Sequence, residues 1–208
     1  MAHALDLVGE RWSLIIVREL LLGPKRFSDL RSGIEGVSAD VLSQRLRELI
    51  EAGIVAQTSL PPPAARQTYE LTPWGAELKS VVNELARWGS RSSTFDPRER
   101  SSVDSLVLSM QALFDPREAK GFAGIVALDV DGDCFTVEVS TGNIDIRRGH
   151  AESATGLLTT SRDTLAAILY GGSDLGTAEA RGDVRIAGDL AAVQRFVSSF
   201  VLPTTADS

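Results

Sequence analysis

Residues 38–53 constrain the fold most, because both ends and both faces of a helix are legible in them. Ser38 has a hydroxyl suited to accept from the open amides of a first turn, and Gly53 stands where a left-handed C-terminal residue is expected. Between them Leu42, Leu46, Leu49 and Ile50 recur on one side. At 100° per residue Asp40, Gln44, Arg47, Glu48 and Glu51 point the opposite way, with Val41 and Arg45 on the flanks. The apolar stripe must be buried, and the polar face is left to meet water or a charged partner.

Upstream, residues 5–22 carry Leu5, Val8, Trp12, Ile15, Ile16 and Leu20 close to a 3.6-residue period, which predicts one amphipathic helix ended by Gly23-Pro24. Ser28 is expected to cap a short helix running to about residue 32, and a glycine-bounded turn, 33–36, follows. Two short helices joined by a tight turn, the second polar outside, describe a helix-turn-helix. Residues 54–59 and 67–71 read as strands around Leu60-Pro61-Pro62-Pro63-Ala64-Ala65-Arg66. Three prolines cannot sit inside a paired strand, so they form the loop of a hairpin, the place of a wing. Thr72-Pro73 opens another helix, with Thr as cap and Pro in its first turn. Its stripe of Trp74, Leu78, Val81, Val82, Leu85 and Trp88 is broader than a small domain needs, which suggests a dimer seam.

The run from Trp12 to Leu30, with Arg18-Glu19-Leu20 and Gly23-Pro24-Lys25-Arg26-Phe27-Ser28-Asp29-Leu30, resembles the opening of the HxlR family of bacterial winged-helix regulators. So do Val41-Leu42-Ser43-Gln44-Arg45-Leu46-Arg47-Glu48-Leu49 with Gly53, and Tyr69-Glu70-Leu71-Thr72 with Gly75. The likeness covers about residues 4–89. It implies a homodimer built from the first and last helices of this domain, through Leu5, Val8, Trp12, Leu78, Val82, Leu85 and Trp88, with the 38–52 helix in the major groove. Many relatives carry a cysteine shortly before the first helix, used by some to sense oxidants. These residues do not include it, so sensing by that route is not expected.

A nucleic-acid partner needs positive charge, and the whole chain carries −7. The acidity is uneven: residues 1–96 hold 11 Lys and Arg against 12 Asp and Glu, whereas residues 97–208 hold 10 against 16. DNA affinity depends on the local patch that displaces counterions, so an acidic second half does not veto a basic face on the first. Base edges would be read by Gln44, which pairs bidentately with adenine, and by Arg45 or Arg47, which pair with guanine, with Asp40 and Val41 beside them. Phosphates would be held by Lys25, Arg26, Ser28 and Ser38 and by the wing residues Arg66, Gln67 and Thr68. The competing reading is that Arg45 and Arg47 merely pair with Glu48 or Glu51 on a solvated helix.

Residues 89–102 are polar and break the helical pattern, so they connect the domains. Residues 103–114 then predict a helix, and 124–130 and 134–139 predict strands flanking the hairpin turn Asp131-Gly132. Strands at 143–148, 157–160 and 182–187 and helices at 161–170 and 189–200, capped by Ser161 and Asp189, complete an α+β domain. Asp131-Gly132, Thr164-Leu165-Ala166-Ala167-Ile168-Leu169-Tyr170-Gly171-Gly172 and Gly182-Asp183-Val184-Arg185-Ile186-Ala187-Gly188-Asp189 resemble the sterol-carrier-protein-type fold over about residues 104–201. That resemblance implies a mainly antiparallel sheet and an apolar small-molecule site lined by Phe122, Phe135, Leu169, Phe196 and Phe200. The alternative is that these five are ordinary core.

Other signals fail on spacing. Asp129, Asp131 and Asp133 approach a calcium loop, but the glycine comes too early and Ser140 stands where the last ligand, a glutamate, belongs. Gly171-Gly172-Ser173-Asp174-Leu175 approaches a nucleophile elbow with Leu175 in place of its last glycine, and only His3 and His150 could act as base. Neither histidine has partners at metal-ligand spacing, and the single cysteine, Cys134, reads as a buried small hydrophobe. No catalytic residues, metal or cofactor are expected. One cysteine, no signal peptide and no apolar run near the roughly 20 residues of a membrane span point to a cytoplasmic protein without a membrane partner.

The sequence therefore predicts an α+β protein in two domains, a winged helix-turn-helix at 1–90 and a sterol-carrier-protein-like domain at 103–208, with a linker at 91–102. Its expected partners are double-stranded DNA at a palindromic operator, a second copy of itself and an apolar small molecule. The alternative function is a lipid or thioester carrier that uses the winged helix only to dimerise.

Overall fold

The computed structural model describes residues 1–59, 67–96, 101–140 and 142–206. The chain divides into two compact units, Met1–Val82 and Asn83–Ser208.

The first unit starts with α1 (Ala2–Val8) and α2 (Ser13–Leu20), two helices where one was expected. The break falls at Gly9, whose amide donates to Leu5 O at 2.7 Å. A Cβ on Gly9 would stand 2.4 Å from that same oxygen, so a side chain cannot replace the hydrogen there. α3 (Phe27–Gly33) is capped from Arg26 and not from Ser28, because Asp29 reaches back to accept the Arg26 amide at 3.2 Å. Ser28 lies inside the first turn and donates to Asp29 at 3.1 Å.

α4 (Ala39–Glu51) follows the sequence closely: Ser38 Oγ accepts the Val41 amide at 3.3 Å, and Gly53 takes the left-handed conformation at φ +71°. Its inner stripe, Leu42, Leu46 and Leu49, joins Ile16, Val17 and Leu20 of α2, Leu30 of α3 and Ile54 in one core. Each such side chain contributes about 1.5–3 kcal/mol when fully buried, so this shared core decides how α4 is presented.

β1 (Val55–Ser59) and β2 (Gln67–Leu71) pair antiparallel, Val55 opposite Leu71 and Ser59 opposite Gln67. The triple-proline loop between them, with Arg66, lies outside the described residues. Thr72 Oγ1 then accepts the Gly75 amide at 3.0 Å and caps α5 (Pro73–Ala76), which is separate from α6 (Leu78–Gly89). The one helix expected there is thus two.

The second unit opens on α7 (Val103–Leu113), capped by Ser102. β3 (Gly124–Val130), β4 (Asp133–Ser140) and β5 (Asn143–Arg148) form an antiparallel meander, and β6 (Gly156–Thr160) returns parallel to β3. After α8 (Arg162–Tyr170) and α9 (Leu175–Arg181), β7 (Val184–Gly188) pairs antiparallel with β6, and α10 (Leu190–Ser198) closes the unit. The sheet order is β5-β4-β3-β6-β7, mainly antiparallel as expected. Asp131 and Gly132, at φ +52° and +88°, make the tight turn between β3 and β4, and Gly132 N donates to Asp129, so the three aspartates belong to a hairpin tip. α9 was not anticipated. Its Asp174 cap lies in the segment weighed above as a nucleophile elbow, and Asp174 Oδ1 accepts the Thr177 amide at 2.7 Å.

Candidate nucleic-acid interface

On α4 the outward residues Asp40, Ser43, Gln44, Arg47, Glu48 and Glu51 are exposed. Arg47 forms no ion pair among the described residues, and Gln44 bonds Glu48 at 3.1 Å. Arg45 differs: its side chain is only 15% exposed and lies 2.5 Å from Glu48 and 3.8 Å from Glu10. Arg45 is thus paired with Glu48, and Arg47 has no such pair among the described residues. Val41 is half-buried at the edge of the core. Ser43 was passed over in the sequence, although it sits one residue from Gln44.

The expected phosphate contacts separate into two groups. Arg26, Ser28, Ser38 and Gln67 are exposed or half-buried at the rim of the helix-turn-helix and the base of the wing. Thr68 is 7% exposed, with its hydroxyl 3.2 Å from that of Thr58 across the hairpin. Alternation sets it on the face away from Tyr69 and Leu71, which pack on the core, yet its low exposure and its contact with Thr58 remove it from the phosphate-facing set. Lys25 places its ammonium 2.6 Å from Glu19, a fully buried carboxylate that also lies 2.9 Å from Arg18. The signal for Glu19 was present in the sequence as a charge on the inner stripe, one residue before Leu20. Nothing in the sequence named its partner.

The seam residues also divide. Leu5, Leu85 and Trp88 are 58%, 45% and 74% exposed, an unusual exposure for large apolar side chains, and Trp74 and Val81 share it. Val8, Trp12, Leu78 and Val82 are half-buried and pack against the first unit's core.

In the second unit Phe122, Phe135, Leu169, Phe196 and Phe200 are all buried. Phe196 and Phe200 meet edge to face at 5.1 Å, and Arg148 lies over the Phe135 ring at 4.9 Å while paired to Asp104 and Asp133. One open cleft runs along Leu157, Arg185 and Ala187 and another along Asp163, Asp174 and Arg181; neither is lined by any of the five. Cys134 is half-buried, not fully buried as expected, and burial together with Asp129 and Asp133 pushes its thiol up. No group of three or more His, Cys, Asp or Glu able to hold a metal ion occurs among the described residues, and no helix there is long and apolar enough to cross a membrane.

These features define a winged helix-turn-helix protein with a separate α+β unit. Residues 7–96 match the family described as HxlR-like helix-turn-helix, and residues 101–206 match the one described as alkyl sulfatase C-terminal. The HTH-type transcriptional regulator YvaP of Bacillus subtilis is 36% identical over 87 residues, which cover 42% of this chain and 81% of that one. Rv3095 of Mycobacterium tuberculosis, also named an HTH-type transcriptional regulator, is 38% identical over 89 residues, 43% of this chain and 56% of its own length. The reduced form of the B. subtilis regulator YodB is 34% identical and covers 45% of this chain and 92% of its own, with a TM-score of 0.42. The chain belongs to the HxlR-like helix-turn-helix family in its first part and carries an alkyl sulfatase C-terminal domain in its second. Both YvaP and Rv3095 bear the name HTH-type transcriptional regulator.

Proposed function

We propose that this chain is a cytoplasmic transcription regulator that binds double-stranded DNA as a homodimer, presenting α4 to the major groove at each half of a palindromic operator. The observation that carries the reading is the pair Gln44 and Arg47, exposed on a helix whose opposite side is locked into the core. Arg47 would pair with guanine and Gln44 with adenine, each such bidentate contact discriminating by about 1–3 kcal/mol. Arg26, Ser28, Ser38, Arg66 and Gln67 would hold phosphates and fix the register. The names of the relatives support the regulatory role.

Dimerisation is assigned to α1 and α6, where Leu5, Leu85 and Trp88 leave apolar surface uncovered and Val8, Trp12, Leu78 and Val82 continue it towards the core. The second unit is read as a sterol-carrier-protein-like effector domain for an apolar molecule between sheet and helices. Phe122, Phe135, Leu169, Phe196 and Phe200 are each buried, so a ligand must open the interior to reach them, and it regulates only if it favours one spacing of the two α4 helices.

Selection of bound duplexes from a random pool tests the reading, with Arg47→Ala and Gln44→Ala beside the unaltered chain. An inverted repeat, with each variant losing preference at particular bases, is the expected result. No enrichment at low salt would overturn it in favour of a lipid or thioester carrier.

A further inference from the structure

We propose that Lys25 is the positioning residue of the wing, holding the β1–β2 hairpin against the helical core, and that it does not contact DNA phosphate. The inference rests on the winged-helix reading above. Three observations meet at this residue. Its ammonium is 2.6 Å from Glu19, which is fully buried on α2. Its backbone exchanges two hydrogen bonds with Tyr69 of β2, N to O at 2.9 Å and O from N at 2.8 Å, so Lys25 acts as a one-residue third strand beside the hairpin. Its neighbour Arg26 is the residue from which α3 is capped.

One residue therefore ties α2, the start of α3 and the wing strand together. Its side chain is 14% exposed, so reaching a phosphate would leave the Glu19 carboxylate short of a cation in the interior, which is costly. The separation of roles is physical: Ser28, three residues further on, is exposed, while the Lys25 ammonium turns to the buried Glu19. The wing's place relative to α4 then depends on a buried ion pair that no DNA contact map would include.

The test uses the full chain with Lys25→Met, Lys25→Arg, Glu19→Gln and the Lys25→Met/Glu19→Gln double variant. Hydrogen exchange of the Tyr69 amide in the DNA-free protein is read against that of Leu46, deep in α4. Roughly tenfold faster exchange at Tyr69 with Leu46 unchanged is expected in Lys25→Met and Glu19→Gln, no further gain in the double variant, and recovery in Lys25→Arg. Unaltered exchange at Tyr69 overturns the proposal, and so does equal loss at Leu46, which would make the pair a prop of the whole unit. This arm needs no DNA, so it decides the matter even if operator selection fails. With a selected duplex as probe, Lys25→Met should weaken binding with the slope of log affinity on log salt preserved. A slope smaller by about one per protomer would mean a lost phosphate contact and would also overturn the assignment.

Discussion

Arg45 and Arg47 stand two residues apart on one helix and take opposite roles because of what faces them. Arg45 is enclosed by Glu48 and Glu10, while Arg47 has only solvent on its side among the described residues. Arg47→Ala is expected to weaken binding to a selected duplex by about tenfold or more and to erase preference at one base per half-site. Arg45→Ala should leave base preference intact; anisotropy titrations against single-base variants of the duplex distinguish the two. In the second unit, the Tyr170 hydroxyl lies 2.8 Å from Ser109 Oγ, and burial pushes its ionisation far above the ordinary value near 10, with the Ser109 bond opposing in part. Above pH 10 the unfolded chain releases this proton while the folded chain keeps it. The unfolded state then binds fewer protons, and stability falls as pH rises further. Tyr170→Phe is expected to flatten that alkaline decline and to cost about 1 kcal/mol near neutrality, as read by denaturant titrations at about pH 8 and about pH 11.

Among the elements, α6 makes the sharpest prediction. Leu85 is 45% exposed on a helix whose inner side holds Leu78 and Val82 against the core, so Leu85→Glu should turn the proposed dimer into a monomer without unfolding it. Sedimentation velocity with far-UV circular dichroism checks both halves of that statement. How legible each element was depended on how local its cause is. α4 carried its cap, its stripe and its closing glycine within its own sequence, and the β3–β4 hairpin followed from alternation and its tight turn. The two helix breaks were invisible because the residues at them keep right-handed helical angles, Trp12 at φ −92°, ψ −15° and Glu77 at φ −64°, ψ −22°. α9 has two buried residues, Leu175 and Ala178, too few to set a period. The burial of Thr68 and the pairing of Lys25 with Glu19 required the hairpin to be placed in the folded unit. No window along the chain contains that information.

For the whole molecule, the division of charge matters first. The excess of acidic residues lies in the second half, so added salt should weaken DNA binding steeply even though the chain as a whole is acidic. The parallel pair β3–β6 has a different consequence, and it concerns the order of assembly. β3 meets β4 across a two-residue turn, but its other edge waits for β6, which follows only after β5 and the stretch leading to Gly156. A β3–β4–β5 meander is therefore expected to form early with β3 still an unpaired edge, and the sheet to be completed late because the loop entropy of a distant pairing must be met first. Pulse-labelled exchange during refolding should find β4 amides protected before those of β7. Until β6 arrives, the open side of β3 is a template for a neighbouring chain, so losses during production of this protein should come from association at that strand and should grow with concentration.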